Sequence, residues 1–414
     1  MPPGRHRLWL ASELMYPELT STGYYVSAIA RAMAERASVD VVCAQPTYAA
    51  RGTRAPAEEA WEGVTIRRVR GTTFDKNRLA GRLLNMLSFS VSALAVLLRR
   101  VRSGDVVLVL TNPPTLPLLA AVACAWRGAR LVVLVHDLYP DTLVAVTTAT
   151  ERALVVRAWR RVTAWLFARA SHIVVVGRDM ARRLASHHPD VEARIVVIPN
   201  WGETGTIRPC ATAGRALRAE HGLDGRFVVM YAGNLGRPND LESLVEAAAR
   251  LRADGRFRFV FVGSGAKVPW LQTTVRTRGL DSIVLLGPRP RAEQEAFLNA
   301  CDLAVVPFVG GMWGAAVPSR LYNFMAAGKP IVGIVEPGSE VDLVITETGT
   351  GWVTPPHDAE ALVTVLLDAA SDPARLQAMG ARARAAAETA YDGRASLAAY
   401  AALLEPLLDA GPAQ

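Results

Sequence analysis

The sequence predicts an α/β fold made of two doubly wound domains. Short β-branched runs alternate with longer helical patterns along the chain, and this alternation is typical of parallel sheets with crossover helices. The length of 414 residues exceeds what a single core usually supports. The alternation also restarts after a stretch at 200–226 that has no strand pattern. We therefore expect an N-terminal domain over 1–200 and a C-terminal domain over 201–390, with a final helix over 391–414 that packs back on the first domain.

Thirteen short apolar runs predict the strands. In the first half they are His6–Ala11, Val39–Ala44, Val64–Val69, Val106–Thr111, Arg130–His136, His172–Val176 and Arg194–Pro199. In the second half they are Phe227–Ala232, Phe257–Val262, Ile283–Leu286, Leu303–Pro307, Pro330–Gly333 and Gly351–Thr354. Functional residues of such folds lie beyond the carboxyl ends of the strands, where loops lead into helices.

Composition excludes several classes of protein. Hydrophobic residues make up 51% of the chain and charged residues 20%, so both domains can form cores. The four cysteines lie far apart and form no CxxC pair, which argues against a metal site and against a disulfide framework. A reducing, cytoplasmic compartment fits this pattern. The N-terminal apolar run is short and broken by Glu13, so we expect no signal peptide.

The net charge of +8 is concentrated in the first half. Residues 1–200 carry 26 Lys and Arg against 15 Asp and Glu, which leaves 20 against 23 for residues 201–414. This asymmetry predicts an anionic partner for the first half: nucleic acid, a phosphorylated substrate or an acidic membrane surface. The sequence has no zinc finger and no RNA-binding aromatic signature, so we expect no nucleic acid partner.

An apolar run at 83–98 carries arginines on both sides. Arg78 and Arg82 precede it, and Arg99 and Arg100 follow it. Sixteen residues fall short of the roughly 20 that a bilayer-spanning helix needs. Two interpretations remain: a crossover helix buried in the domain, which we favour, or a helix lying on a membrane surface.

The segment Pro318–Pro330 gives the strongest local signal for function. It reads as a loop, a proline in the first turn of a helix, two helical turns with an apolar face, and Gly328 as the stop. A helix that begins in this way directs free N–H groups and the positive end of its dipole at what precedes it, and Arg320 adds a cation there. The segment therefore predicts a diphosphate site, with an ordinary capped helix as the alternative.

Six further pieces of the sequence, most of them in loops after predicted strands, carry a family resemblance together with Pro318–Pro330. These pieces are Tyr16–Glu18 with Thr22–Tyr25, Leu87–Phe89, Val135–Asp141, Ile198–Trp201, Tyr231–Arg237 and Gly263–Gly265. In this order and spacing they resemble the retaining glycosyltransferases of family 4, and within them the bacterial cell-surface and exopolysaccharide branch. The resemblance covers nearly the whole chain. It implies the GT-B architecture, in which two Rossmann-like domains face each other across an interdomain cleft.

The resemblance also implies roles for individual residues. The first domain would bind the acceptor and the second the nucleotide sugar, with His136, Arg237 and Arg320 as catalytic residues. The donor-binding residues would be Gly23, Gly233, Asn234, Gly236, Gly263, Gly265, Gly311, Met312, Trp313, Asn323 and Glu340. The acceptor-binding residues would be Thr22, Tyr24, Asp137 and Asp141.

Several of these residues have a structural alternative. Arg237 can be a surface arginine at a helix start, and His136 can be a structural histidine. Gly23, Gly263 and Gly265 can belong to simple turns. Asp141 and Glu340 can cap the helices that follow them; for Glu340 this cap would begin a helix at Val341, and a contact with the donor sugar is equally open.

The chain departs from the family pattern at the donor site. Family 4 has two glutamates eight positions apart, and Ala315 and Asn323 stand at those positions here. The usual Arg and Lys of the first nucleotide loop are replaced by Asn234 and Asn239. Donor phosphate charge must then fall largely on Arg237 and Arg320. The backbone N–H groups of the loop 310–314 would meet sugar hydroxyls.

The resemblance implies glycosyl transfer with retention, no metal and no other cofactor. A UDP-sugar is the favoured donor, with dTDP and GDP sugars as alternatives. The expected acceptor is a polyprenyl-linked glycan at an anionic membrane surface on the inner face of the cell membrane, with a soluble natural product as the alternative. Two rivals are a sugar-nucleotide epimerase, for which no acid cluster is apparent, and a non-catalytic sugar-nucleotide-binding subunit.

Overall fold

A computed structural model describes residues 6–18, 20–46, 54–74, 79–147, 150 and 152–410. The chain forms two compact units. The first contains Met1–Pro140, Ala149–Pro199 and Arg394–Gln414, and the second contains Asp141–Thr148 and Asn200–Gly393. The short segment Asp141–Thr148, which the sequence analysis placed in the first domain, therefore groups with the second.

The first unit is an eight-stranded sheet with helices. Its strands are β1 (Leu8–Ala11), β2 (Val39–Ala44), β3 (Glu58–Trp61), β4 (Val64–Val69), β5 (Val106–Leu110), β6 (Arg130–Val135), β7 (His172–Val175) and β8 (Ile195–Val197). Its helices are α1 (Ser21–Ala34), α2 (Leu79–Arg100), α3 (Leu116–Arg127), α5 (Leu154–Arg169), α6 (Arg178–His187) and α15 (Gly393–Asp409), and a 3₁₀ turn covers Pro189–Arg194. The strand order is β3-β4-β2-β1-β5-β6-β7-β8.

The second unit is a six-stranded sheet with helices. Its strands are β9 (Phe227–Ala232), β10 (Phe257–Val262), β11 (Ile283–Leu286), β12 (Leu303–Pro307), β13 (Ile331–Ile334) and β14 (Gly351–Thr354). Its helices are α4 (Asp141–Val146), α7 (Arg215–Glu220), α8 (Leu241–Arg250), α9 (Val268–Arg278), α10 (Gln294–Asn299), α11 (Arg320–Ala326), α12 (Glu340–Thr348), α13 (Ala359–Ser371) and α14 (Pro373–Thr389). The strand order is β11-β10-β9-β12-β13-β14.

All thirteen predicted strands are present, within two residues at each end. Central strands such as β5 are apolar at every position and buried at every position, because helices cover both faces of a parallel sheet. Strand β3 was not predicted. It pairs antiparallel with β4 at the edge of the sheet, and its alternately exposed residues include two glutamates.

Helix α2 differs from the favoured prediction. It has 22 residues, so it is longer than the apolar run at 83–98. By length and composition alone, Ala80–Arg100 could cross a membrane. Only 33% of its most apolar 18-residue stretch is buried in the protein. Leu84 is 51% exposed and Val91 is 56% exposed. The prediction of a buried crossover helix is therefore wrong for the outer side of α2.

Helix α11 is shorter than the sequence suggests. It begins at Arg320 after the N-cap Ser319 and has seven residues, so Pro318 precedes the helix. Apart from Arg320, every residue of the helix is buried. Its carboxyl end is held by Arg384 of α14, whose Nη1 donates to the Ala326 carbonyl at 2.7 Å. Arg320 is thereby fixed at the first position of a buried helix.

Candidate functional site

The strand order of the second unit reverses between β9 and β12. Ligands of doubly wound sheets bind at the carboxyl ends of the strands on either side of such a reversal. The loop 233–240 follows β9, and the loop 308–319 follows β12 and leads to α11. The segment Gly233–Arg237 and Arg320 therefore both lie at the carboxyl ends of β9 and β12.

Arg320 packs on an aromatic ring at this point. Its guanidinium carbon lies 4.5 Å from the centre of the Tyr231 ring, a cation–π contact. The Tyr231 hydroxyl donates to the Asn234 carbonyl at 2.5 Å. Burial raises the pKa of Tyr231 and the Arg320 charge opposes this rise, so the phenol is neutral near pH 7. The ring therefore orients the cation without neutralising its charge.

One nitrogen of Arg320 has no partner. Its Nη1 atom is buried and makes no hydrogen bond within the described part of the chain. Buried donors in proteins are almost always paired, and an unpaired one costs about 1–3 kcal/mol, or more when it is charged. An anion is the group that best satisfies a guanidinium donor. Arg320 therefore fits the phosphate role that the sequence predicts.

Glycines allow the loop after β9 and the loop after β10 to pack against each other. Gly233, Gly263 and Gly265 have φ angles of 143°, 135° and 159°, in a region that side chains strongly disfavour. A Cβ atom on Gly263 would lie 2.0 Å from the Gly233 carbonyl oxygen. A Cβ atom on Gly233 would lie 3.1 Å from the guanidinium carbon of Arg320. The absence of a side chain at Gly233 thus leaves room for the Arg320 guanidinium.

The loop after β9 supplies one exposed cation, and the loop after β10 supplies one that is paired. Arg237 is exposed, next to the buried Gly236. Lys267, which the sequence analysis missed, donates from Nζ to the Asn239 carbonyl at 2.8 Å and pairs with Glu242 at 2.7 Å. Because Lys267 comes from the loop after β10, no motif in the sequence links it to Asn239.

Asn323 points into the unit and already has a protein partner. It is 7% exposed, and its Oδ1 accepts the backbone N–H of Glu203 at 3.4 Å. The Glu203 carboxylate pairs with Arg291, whose Nε donates at 3.2 Å. Burial raises the pKa of Glu203, and Arg291 opposes this rise. Neither Glu203 nor Arg291 was predicted, because Glu203 lies in a loop and Arg291 in a separate 3₁₀ turn over Arg291–Glu293.

The loop 310–314 is held by a carboxylate. Glu336 Oε2 accepts the backbone N–H groups of Gly311 and Trp313, each at 2.9 Å. These two N–H groups thus have a protein acceptor in this structure, and their contact with sugar hydroxyls stays a prediction. The side chain of Met312 is 2% exposed, so it packs in the core. Glu336, which follows β13, is a residue that the sequence analysis did not single out.

Replacement of Glu336 tests whether this loop contributes to donor binding. In Glu336→Ala the two N–H groups lose their acceptor, the loop loosens, and we expect KM for the donor to rise about tenfold, since a hydrogen bond to a charged group contributes about 1.5–3 kcal/mol. Glu336→Gln is the matched control, because its amide oxygen can accept both N–H groups, and we expect a change below about threefold. Steady-state kinetics measure both, and an equal loss in the two variants would contradict this role.

Glu340 is buried in the first turn of α12, and the residue before it caps this helix. Ser339 is the N-cap of α12, and its side chain accepts the N–H of Asp342. The proposed cap at Val341 is therefore wrong, since Glu340 is the first residue inside the helix. Glu340 is 3% exposed. Its contact with a donor sugar stays a prediction.

In the first unit, the strand order reverses between β1 and β5, and β6 lies next to β5. His136 and Asp137 follow β6 directly. Burial lowers the pKa of His136 to about 4, and burial raises the pKa of Asp137 to about 6. At pH 7 the imidazole is therefore neutral and the carboxyl is mostly ionised.

His136 has an unpaired nitrogen of its own. Its Nε2 is buried and makes no hydrogen bond in the portion of the chain that the structure describes. The ring makes an edge contact with Tyr25, with 6.5 Å between the centroids. A neutral imidazole with one free nitrogen can donate to or accept from a hydroxyl, which suits the catalytic role that the resemblance implies for His136.

The segment Thr22–Tyr24 lies on a helix and not in a loop as predicted. Helix α1 begins at Ser21, and the N-cap Thr20 accepts the N–H of Gly23 at 3.2 Å. A Cβ atom on Gly23 would lie 2.5 Å from the Glu18 carbonyl oxygen. Gly23 is therefore needed for the close approach of the preceding chain.

Asp141 starts helix α4 and is 2% exposed. The next residue, Thr142, donates from its hydroxyl to the Ala315 carbonyl at 3.4 Å. Helix α4 thus packs against the loop that precedes α11. Asp141 is separated from Asp137 by the division of the chain into units, so the two predicted acceptor carboxylates do not share one unit.

No group of three or more His, Cys, Asp or Glu side chains in the described residues could hold a metal ion. The cysteines are free, and burial raises the pKa of Cys43, Cys124 and Cys301 to about 12. Arg320, Arg237 and Lys267 are cations of the second unit that lie in or beside the loops after β9, β10 and β12. The arrangement suits an anionic ligand in the second unit and a contact with a hydroxyl group at His136 and Asp137 in the first.

Comparison with known proteins identifies the family. The model of the family described as "Glycosyltransferase Family 4" matches residues 22–204, and that described as "Glycosyl transferases group 1" matches residues 215–386. The protein named "Probable glycosyltransferase WbjE" of Pseudomonas aeruginosa is 32% identical over 81% of this chain and 82% of its own length. WcaI of Escherichia coli K12, named for colanic acid biosynthesis, is 27% identical over 84% of this chain and 88% of its own length.

Solved structures agree on the fold. Sucrose-phosphate synthase from Thermosynechococcus elongatus superposes with a TM-score of 0.75 at 18% identity, over 97% of this chain and 99% of that one. HepE of Anabaena, solved with UDP-glucose, gives a TM-score of 0.72 at 16% identity, over 97% of this chain and 99% of that one. These neighbours and the two Rossmann-like units confirm the GT-B fold class. The chain is a glycosyltransferase and belongs to glycosyltransferase family 4.

Proposed function

We propose that this protein transfers a glycosyl unit from a nucleoside-diphosphate sugar, with a UDP-sugar favoured, to a polyprenyl-linked glycan in polysaccharide biosynthesis. The observation that carries the donor half is the unpaired, buried Nη1 of Arg320 beside two loops that pack through Gly233 and Gly263. HepE, a structural neighbour, was solved with UDP and with UDP-glucose, which supports the same donor class here.

The proposed mechanism is metal-independent and proceeds with retention of anomeric configuration. As the bond between the anomeric carbon and the β-phosphate oxygen breaks, negative charge develops on the phosphate. Arg320 and Arg237 stabilise that charge, which is electrostatic catalysis by preorganised cations. The acceptor oxygen attacks the same face of the sugar, and the departing phosphate accepts the acceptor proton. Neutral His136 contacts the sugar, and Asp137 orients the acceptor hydroxyl.

The acceptor half of the proposal has two supports. The first 200 residues carry a net excess of Lys and Arg, which suits a diphosphate and an anionic membrane surface. WcaI, a relative along most of its length, is named for colanic acid biosynthesis. The proposed place of action is the cytoplasmic face of the cell membrane, where the protein would be peripheral.

A donor panel with chelation tests this proposal. We expect purified protein to bind UDP, with dTDP and GDP sugars as comparators, and to release UDP from its donor at an unchanged rate after EDTA treatment. The physical reason is that arginines carry the phosphate charge in place of a metal ion. Calorimetry measures binding, and a coupled assay measures UDP release. If chelation abolished turnover and added Mg²⁺ or Mn²⁺ restored it, the metal-independent part would be wrong.

The competing proposal is a non-catalytic sugar-nucleotide-binding subunit. It is favoured by Asn323, whose Oδ1 is already engaged by the Glu203 backbone, and by the pairing of Lys267 with Glu242. The same panel separates the two: tight UDP binding without transfer to lipid-linked or soluble acceptors would favour the subunit. Transfer to a soluble acceptor alone would support the enzyme and contradict the lipid acceptor.

A further inference from the structure

We propose that helices α2, α3 and α5 form one face of the first unit that docks on an anionic lipid surface. This proposal rests on the proposed function, because a lipid-linked acceptor is the reason for the protein to bind a membrane. It assigns the contact to specific helices and specific side chains. The most exposed of these side chains lie on α3 and α5, two helices that no sequence motif singled out.

Large apolar side chains are exposed on α3 and α5. On α3, Trp126 is 80% exposed, and Val122 lies one turn before it. On α5, Leu154 is 78% exposed and Val155 is 63% exposed, and Trp165 lies further along the helix. A soluble protein rarely leaves such side chains in a contiguous patch without a partner. Tryptophan in particular is enriched where proteins meet the headgroup layer of a membrane.

Helix α2 extends this set of exposed apolar side chains. Leu83, Leu87 and Val91 follow one another at four-residue intervals, so they share one side of the helix. Their exposed fractions are 46%, 48% and 56%. The opposite side contains Asn85, Phe89 and Ala93, which are buried against the unit. Helix α2 is therefore amphipathic with an apolar outer side, the pattern of a helix that lies on an interface.

The three helices carry charge of one sign. Their sequences contain eight arginines and no aspartate or glutamate. The arginines are Arg82, Arg99, Arg100, Arg127, Arg157, Arg160, Arg161 and Arg169. One of them, Arg169, stacks on Trp165 with 4.2 Å between its guanidinium carbon and the ring centre. This charge complements anionic headgroups, and the apolar side chains suit the acyl boundary beneath them.

The topology puts the three helices on the same side of the sheet. They connect β4 to β5, β5 to β6 and β6 to β7, and each of these connections runs in the same direction along the sheet. Right-handed crossovers in one direction place their helices on one face. Helix α3 contacts both α2 and α5. The exposed side chains therefore belong to one continuous layer.

A pocket connects this layer to a predicted acceptor residue. It lies where α3 and α5 meet the ends of β5 and β6, and its lining includes Pro117, Leu118, Trp159, Leu166 and Asp137. The lining is mostly apolar or aromatic, and its polar side chains besides Asp137 include Thr111 and Thr163. The acidic group proposed to orient the acceptor hydroxyl thus borders an apolar pocket between two helices of the docking face. This favours a lipid surface over a protein partner.

Vesicle sedimentation of the whole protein, without donor or acceptor, tests the proposal. The probes are vesicles of phosphatidylglycerol and phosphatidylcholine in equal parts, and vesicles of phosphatidylcholine alone. We expect binding to the anionic vesicles that weakens with salt. In Arg157→Gln/Arg161→Gln the partition should fall roughly 30-fold, because each basic residue near an anionic surface contributes about a fivefold factor. In Trp126→Ser/Leu154→Ser it should fall at least tenfold, because apolar burial is lost.

The matched control is Trp270→Ser/Arg276→Gln on α9 of the second unit, which also removes an exposed tryptophan and an exposed arginine. We expect this control to bind vesicles as the unchanged protein does. Equal binding by all variants, or equal binding to the two kinds of vesicle, would overturn the proposal. A dimer in sedimentation velocity that Trp126→Ser dissolves would assign the face to a second copy and overturn it too.

The outcome is separable from that of the proposed function. Because none of the replaced side chains is a predicted donor or acceptor residue, UDP release with a water-soluble acceptor should be unchanged in every variant. Lost vesicle binding with retained UDP release supports the docking face. Absence of vesicle binding by the unchanged protein, with UDP release intact, would refute the docking face and leave glycosyl transfer standing.

Discussion

Arg320→Ala should lower kcat/KM for the donor by about 10²–10³-fold, because it removes a preorganised cation from the place where the leaving phosphate becomes charged. Its affinity for UDP should fall as well, by roughly 10- to 150-fold, since hydrogen bonds from a charged group contribute about 1.5–3 kcal/mol. Steady-state kinetics and calorimetry with UDP measure the two effects separately.

Two further variants make this result specific. Arg320→Lys keeps the charge but not the planar guanidinium that stacks on Tyr231, so we expect an intermediate loss. Arg276→Ala on α9 removes an exposed arginine outside the nucleotide loops and should leave kinetics unchanged. Thermal unfolding reports whether loss of the Tyr231 contact, worth about 0.5–2 kcal/mol, disturbs the fold. Unchanged donor kinetics in Arg320→Ala would rule out the phosphate role.

Asp137→Asn should lower kcat by about 10- to 150-fold with a lipid-linked or soluble acceptor, because a hydrogen bond to a charged group contributes about 1.5–3 kcal/mol. The neutral amide keeps the shape of the side chain but can no longer hold the acceptor hydroxyl by its charge. KM for the donor should change little, because Asp137 belongs to the first unit.

The pH dependence gives the same residue an independent test. Burial raises the pKa of Asp137 to about 6, so its carboxylate form prevails above that pH and is lost below it. We expect kcat/KM to fall as pH decreases through about 6, and this acidic limb to be absent in Asp137→Asn. His136, whose pKa burial lowers to about 4, is neutral on both sides of that limb. An unchanged limb in the variant would assign it to another group.

The sequence predicted the sheets well because local patterns specify them. A central strand such as β5 is a run of branched apolar residues bounded by polar ones, and its neighbours repeat this pattern. Strand β3 was missed because an edge strand paired on one side carries charged residues and alternates in exposure. The start of α1 was missed because Thr20 and Gly23 resemble a loop, whereas together they form its cap.

The site was predictable only where one segment carries its own signal. Arg320, Gly233 and Gly263 each lie in a short motif that is recognisable from the sequence alone. Lys267 and Glu336 could not be found in that way, since each belongs to a loop after another strand and meets its partner only through the packing of the sheet. Exposure of α2 was likewise unpredictable, because an apolar helix has the same sequence whether its outer side is covered or not.

Helix α4 has a consequence for experiments that divide the chain. A fragment cut at residue 200 would leave behind α4, whose Thr142 hydroxyl donates to Ala315 in the loop before α11. The same fragment would also remove the neighbour of Gly311, where a Cβ atom would lie 3.5 Å from the Ala145 side chain. Donor binding measured on residues 200–393 alone would thus report a damaged loop. A separately supplied peptide covering 141–147 should restore what such a fragment lacks.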